Sequence, residues 1–367
     1  MSEPKLSEQK SYAFPNELPL ASIIISNYNY EKFIGRAIDS ALQQTYPLKE
    51  IIVVDDGSTD NSRQIINQYG NQITTIFQEN QGIVPATNTG FFASRGEIIF
   101  FLDSDDCFFP QKVEEMVKYY LRVMPQTPQA MIFHRLAMTN DEGIVFYLMP
   151  PNGLRTLDRK KENGPFAKLS DPDAAYRHIQ KWGFLPFNTS YTSYTSGLSL
   201  SRSLANCIFP LPNERVLPQD RLLFYGAMLF GTVYGTTKVL GSYSIHGDNA
   251  SLQKGKELGN QKARVHLTIN FVNDILQKIN KDRIASFYDT RYARSYYKNY
   301  GLTKELLKLT YKVPTRCLSL GTMWFSIKLL WYCFQLVVGI KKRPRLSMNE
   351  KILEKAKAVH SKQDCHH

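Results

Sequence analysis

The sequence predicts an α/β fold, a mostly parallel sheet flanked by helices with a helical extension at its C-terminal end. Two observations carry that expectation. Short β-branched runs alternate four times with segments of helical periodicity between Leu20 and Leu121, as in strand-then-helix units whose strands lie parallel. The residues that follow three of those strands, where open parallel sheets place their ligands, are Asn, Asp and Ser rather than apolar residues.

Taken in order, Leu20 to Ser26 reads as a buried strand, and within Glu31 to Gln43 the apolar positions Phe33, Ile34, Ala37, Ile38, Ala41 and Leu42 recur at helical spacing. Ile51 to Val54 is a second buried strand, followed by a polar helix over Asp60 to Tyr69. A strand at Ile73 to Phe77, a helix at Val84 to Ser94 and a strand at Ile98 to Leu102 complete the units, and Pro110 opens a helix with Val113, Met116, Val117, Tyr120 and Leu121 on one face. Beyond it the pattern is less regular. Ala130 to Phe133, Ile144 to Leu148 and Gly197 to Leu200 are β-like, and Asn152 to Lys168 reads as a Lys-rich loop. Leu222 to Phe230 reads as helix, Val233 to Ser244 as strand, and 261–313 as helical and basic.

The composition, 43% hydrophobic and 12% aromatic over 367 residues, excludes a disordered chain. Five widely spaced cysteines without a Cys-x-x-Cys pair suggest neither a disulfide framework nor a thiolate zinc site. Met1 to Pro19 lacks the apolar core of a secretory signal, so a cytoplasmic location is expected. The net charge of +12 is unevenly spread: residues 253–367 carry 23 Lys and Arg against 8 Asp and Glu, and the first 252 residues carry 22 against 25. An anionic partner for the last third follows, nucleic acid or membrane. The 23 residues Leu318 to Ile340, apolar apart from Lys328 and a few polar side chains, favour the membrane and not nucleic acid. A central lysine and basic flanks at both ends point to a helix lying in the cytoplasmic leaflet rather than a clean span, the alternative being an amphipathic helix packed on the catalytic domain.

Three strand ends carry the chemistry. The first ends in Ser26-Asn27-Tyr28-Asn29, the second in Asp55-Asp56-Gly57-Ser58-Thr59-Asp60 and the fourth in Asp103-Ser104-Asp105-Asp106. Three carboxylates within four residues repel one another unless a cation neutralises them, and Mg²⁺ or Mn²⁺ completed by substrate phosphates is the simple solution. A helix cap accounts for one of these acids and not for three. In the second cluster a turn at Gly57 and a cap account for the last four residues, which leaves Asp55 and Asp56 as acceptors for a base or ribose.

These three ends, with Asn88-Thr89-Gly90 and Gly96-Glu97 between them, resemble the family 2 glycosyltransferases of the GT-A fold from about Leu20 to Ser251. The resemblance implies an inverting enzyme that moves a sugar from a nucleotide-diphosphate donor, a UDP-sugar first among candidates, to a glycan or lipid-linked acceptor. It places Ser26, Tyr28, Asn29, Asp55, Asp56, Asn88, Asp103 and Ser104 at the nucleotide-sugar and Asp105 on the metal. Gly197-Leu198-Ser199 followed by Gln219-Asp220 resembles the acceptor loop and a Glu-Asp pair whose Asp is the catalytic base, with Gln219 in place of the Glu. Thr87 stands where the family often has Arg. His246, before Gly247-Asp248-Asn249, resembles a late metal or diphosphate ligand, although a lone His is as readily an ordinary polar residue. Asp220 is equally a reasonable N-cap. Gly197, Trp182 and Gln219 are candidate acceptor contacts, and Tyr191 and Tyr194 offer stacking faces.

The expected organisation is a tail at 1–18, a catalytic domain at 19–252 divided into a nucleotide-sugar half (19–124) and an acceptor half (125–252), a basic helical extension at 253–313, a membrane-associating helix at 314–345 and a polar tail at 346–367. The expected place of work is the inner face of the cell membrane, in surface polysaccharide or glycolipid synthesis. Two other readings stay open: a nucleotidyltransferase, for which Ser26 to Tyr30 lacks a Gly-rich basic phosphate loop, and a catalytically silent membrane-anchored scaffold.

Overall fold

The computed structural model describes residues 18–140, 142–148, 166–182, 194–212, 219–247, 249 and 270–281. Ten strands form one sheet: β1 (Ala21–Asn27), β2 (Lys49–Asp55), β3 (Thr74–Phe77), β4 (Ile98–Asp103), β5 (Cys107–Phe108), β6 (Ala130–Thr139), β7 (Val145–Leu148), β8 (Phe166–Ser170), β9 (Leu198–Ser201) and β10 (Thr232–Ser244). The order is β3-β2-β1-β4-β9-β6-β10-β5, with β7 on β6 and β8 on β10. Pairs β1–β2, β1–β4, β2–β3 and β6–β10 are parallel. Strand β9 runs antiparallel to both β4 and β6.

Helices α1 (Ile34–Leu42), α2 (Ser62–Asn67), α3 (Ile83–Ala93), α4 (Lys112–Val123), α5 (Pro172–Trp182), α6 (Arg202–Ile208) and α7 (Gln219–Phe230) cover the sheet. The period of two along β1 explains the layers. Ile23 and Ile25 face one core with Ile34 and Ile38 of α1 and Met116 and Tyr120 of α4. Ile24 faces the other, with Phe91 of α3, Leu204 and Ile208 of α6, Leu222 and Met228 of α7, and Ile275 of the helical segment 270–278. Both faces are covered, so the central strands read as continuous apolar runs. Each fully buried Ile contributes about 1.5–3 kcal/mol. Gly90 lets α3 lie close on β1: a Cβ there would stand 2.5 Å from Ile24 Cγ2.

Four elements differ from the sequence expectation. Phe166–Ser170, at the end of the expected loop, is a strand because it finds β10 as partner. Strand β5 and helices α5 and α6 were not expected; α6 is seven residues long, started by Ser201 accepting from the Leu204 N–H. A pattern of that length holds only two turns of periodicity. The tail at 1–17, most of the extension at 253–313, and the segments 314–345 and 346–367 lie outside the described residues. No helix among the described residues is long and apolar enough to cross a membrane.

Candidate active site

The ends of β1, β2 and β4, the start of β9, the start of α7 and the end of β10 meet at one edge of the sheet. The β1 and β2 ends are tied together by their own polar residues. Asn27 Nδ2 donates to Asp55 Oδ1 (2.9 Å), Ser58 Oγ donates to the same oxygen (2.5 Å), and Asn29, with φ of 57°, accepts from the Thr59 N–H (2.7 Å). Gly57, at φ of 76°, makes the turn, where a Cβ would stand 2.7 Å from Asn80 N. Asp56 accepts from Gln78 Nε2 (2.7 Å) and from the backbone N–H groups of Gln81 (2.9 Å) and Gly82 (2.7 Å). Asp55 and Asn29 are therefore fasteners of the loop pair, and Asp56 is held against the start of α3. Tyr28 is exposed beside them. Asn88 lies on α3 with its amide spanning the Leu211 backbone, donating to O (2.8 Å) and accepting from N–H (2.9 Å).

At the β4 end the carboxylates face different partners. Asp105 Oδ2 lies 3.0 Å from His246 Nε2 and accepts from Asn249 Nδ2 (3.1 Å), and the His246 ring is stacked on Phe33 at 4.3 Å. Asp106, fully buried, accepts from Ser196 Oγ (2.6 Å) and from the Ser244 N–H (3.0 Å). The Asp103 N–H donates to Ser196 Oγ (3.0 Å), and Ser104 is buried next to it. Desolvation, then Asp105 and Asp220, pushes the Asp103 carboxyl up to about 8, against the opposing pull of Lys112. Burial and the neighbouring acids hold Asp106 well above the usual carboxylate range.

The cation beneath the cluster is a side chain that the sequence did not single out. Lys112 is fully buried, donates to Ser196 O (2.6 Å) and sits 3.1 Å from the centre of the Phe108 ring. Burial draws its pKa well down, while Asp106 and Asp103 oppose that. Its signal was present: Lys112 shares the buried face of α4 with Met116 and Tyr120 at steps of four. Ser196 was also missed, although Gly197 beside it was named. It joins the turn Thr195–Gly197 to Asp103, Asp106 and Lys112 at once.

Asp220 lies in the first turn of α7, its Oδ1 accepting its neighbour Arg221's N–H (2.8 Å). Desolvation raises its pKa, partly offset by Arg221. Its charge is one of those that raise the Asp103 carboxyl. Tyr194, stacked on Tyr243 at 3.9 Å, has its hydroxyl pushed up to about 12 by burial, then Asp220 and Asp106. Gln219 Oε1 meets the Thr87 hydroxyl at 2.8 Å, and that hydroxyl is 3.1 Å from Ser26 Oγ. Trp182 ends α5; residues around Tyr191 lie outside the described ones.

Among the described residues no three His, Cys, Asp or Glu side chains are grouped to hold a metal by themselves. A divalent ion completed by substrate phosphates needs only one or two protein ligands. Asp105 Oδ2 and His246 Nε2, 3.0 Å apart, are the side-chain oxygen and nitrogen that would face such an ion, while His246 Nδ1 is buried without a hydrogen-bond partner.

The glycosyl transferase family 2 model matches residues 22–166. An uncharacterized glycosyltransferase from a Nostoc species is 34% identical over 271 residues, 70% of this chain and 76% of that one. The chain belongs to glycosyl transferase family 2. It is a glycosyltransferase, and the matched region contains the polar ends of β1, β2 and β4. Chondroitin synthase of Pasteurella multocida is 28% identical over 75% of this chain and 25% of its own length. The fold is that of S. aureus TarS 1-349, solved in complex with UDP-GlcNAc, at a TM-score of 0.51 and 17% identity over 90% of this chain and 95% of that one. Within this GT-A frame the parallel half and its flanking helices are as the sequence predicted.

Proposed function

We propose that this glycosyltransferase moves a sugar from a nucleotide-diphosphate donor to an acceptor hydroxyl with inversion, Asp220 acting as general base. The observation that carries the reading is the hydrogen-bonded run from Ser26 through Thr87 to Gln219, which brings the residue beside Asp220 to the donor end of β1, where the Asp220 charge also helps raise the Asp103 carboxyl. A base opposite the donor end is what a single in-line displacement needs, and a raised pKa improves its proton affinity. Ser26, Tyr28 and Asp56 receive the nucleoside, Asp103 and Ser104 the ribose or sugar, and the turn Thr195–Gly197 borders the acceptor.

Asp105, with His246 beside it, would hold a Mn²⁺ or Mg²⁺ ion, which when bound stabilises charge on the leaving diphosphate. In the protein itself, His246 and Asn249 orient the Asp105 carboxylate, Lys112 offsets the charge of Asp103 and Asp106, and Asp220 takes the proton of the attacking hydroxyl. The ligand of the TarS structure supports a UDP-sugar as the first donor to test. The chondroitin synthase relative supports a glycan acceptor, which a lipid anchor would present at the inner face of the membrane to the basic last third.

A panel of UDP, GDP and dTDP sugars with Mn²⁺ tests the reading through release of nucleotide diphosphate. Asp220→Asn is expected to bind donor almost as wild type does and to lower transfer by roughly 100-fold or more. Near-native transfer by that variant would place the base elsewhere.

A further inference from the structure

We infer that Thr87 and Gln219 are positioning residues, a hydrogen-bonded coupling that holds the Asp220 base in register with the donor end of β1; the inference rests on the functional reading above. Thr87 is fully buried on α3, with its Oγ1 2.8 Å from Gln219 Oε1, 3.1 Å from Ser26 Oγ and 2.9 Å from Ile83 O. A hydroxyl has one proton and two acceptor sites. When Thr87 donates to Gln219 Oε1, Ser26 donates to Thr87, and the chain runs from the nucleoside side of the site to the residue before Asp220. If the Gln219 amide is turned round, as hydrogen-bond assignment permits, its Nε2 donates to Thr87 and Thr87 donates to Ile83 O. In both arrangements Thr87 accepts from Ser26 and stays bonded to Gln219.

A second contact shows that α3 is the anchor. The next residue, Asn88, clamps the Leu211 backbone by both ends of its amide. Successive residues of α3 thus hold the chain before residues 213–218 and the first residue of α7 after them. The contact also unites the two departures from the family pattern noted in the sequence. Positions 87 and 219, where Arg and Glu would be expected, here present a neutral hydroxyl to a neutral amide.

Thr87→Val keeps the shape and removes the hydroxyl. In the full chain it is expected to lower kcat for transfer about tenfold, the scale of one lost hydrogen bond. Binding of UDP with Mn²⁺, by calorimetry, stays within about twofold, and so does the thermal midpoint-corrected folded fraction at the assay temperature. Thr87→Ser restores kcat. In a double-mutant cycle Thr87→Val with Gln219→Met loses no more than either single change, because one interaction is removed in all three. Unchanged kcat in Thr87→Val, an equal loss in UDP binding, failure of Thr87→Ser to rescue, or additive losses in the cycle would each overturn the inference. A wild-type chain that releases no nucleotide from any donor would instead overturn the functional reading beneath it.

Discussion

Replacing Lys112 by Met tests whether the acid cluster is neutralised from within. The ammonium is fully buried between Ser196 O and the Phe108 ring, and its charge acts on Asp103 and Asp106. Burial raises Asp106 and lowers Lys112, and the two acids oppose the drop at Lys112, so the ammonium keeps its charge only with them beside it. Removing one partner of such a pair costs about 3–5 kcal/mol, because the other stays buried and uncompensated. Against a total stability of about 5–15 kcal/mol, that is a large share. At a urea slope of about 3 kcal/mol/M the midpoint falls by roughly 1–2 M. The second change, Asp106→Asn, removes the orphaned charge and keeps an acceptor for the Ser244 N–H. The double variant therefore recovers about 2 kcal/mol or more of the loss. Urea unfolding followed by circular dichroism, on wild type, both single variants and the double, measures all four corners. A Lys112→Met midpoint within about 0.3 M of wild type, or a double variant no more stable than Lys112→Met, refutes internal neutralisation.

Asp220 must be ionised to accept a proton and its pKa is raised, so kcat/KM falls with falling pH at a value above the ~3.9 of a free Asp; a rate flat down to about pH 4.5 contradicts this. By the same sign, its contribution to stability is full below the unfolded pKa and lost as pH rises through the folded one, so Asp220→Asn raises Tm at about pH 7.5 while lowering transfer. Asp105→Asn replaces an anionic oxygen with a neutral one, and calorimetry should show that Mn²⁺ no longer strengthens UDP binding; an unaltered Mn²⁺ effect removes Asp105 from the metal. Full-length protein should sediment with anionic liposomes at low salt and a chain ending before Thr310 should not, since each Lys or Arg near such a surface contributes about 1 kcal/mol; full-length protein left in the supernatant rules out the membrane role.

The first half was legible because β1, β2 and β4 are buried on both faces and leave largely apolar runs, each ending in polar residues with no packing reason to be there. What stayed hidden depends on contacts distant in sequence. Lys112 is a lysine at the start of an amphipathic helix until Ser196, 84 residues away, supplies its acceptor. Thr87 and Gln219 are 132 residues apart, and each alone reads as a lapse from a pattern. Strand β8 is five residues long and becomes a strand by pairing with β10. Asn88 and Asn29 were legible by position in the motif, but their bonds to Leu211 and Thr59, 123 and 30 residues away, are fastenings that no spacing displays.

Strand direction explains why one edge of the sheet gathers residues from so many parts of the chain. Strand β9 is antiparallel to β4 in the register Ile98 with Ser201 and Phe100 with Ser199, so the start of β9 lies beside the end of β4. The turn Thr195–Gly197, which opens β9, is thereby delivered to Asp103 and Asp106, and Ser196 can bond both. Because β9 is antiparallel to β6 as well, β6 and its parallel neighbour β10 point the same way as β4. The end of β10 therefore arrives at the same edge, where the Ser244 N–H reaches Asp106 and His246 reaches Asp105. A parallel β9 would have put its opening turn at the far edge, a strand length from the acids, at about 3.3 Å per residue. One reversed strand is thus what lets the turn Thr195–Gly197 and the acid cluster at the end of β4 share a serine.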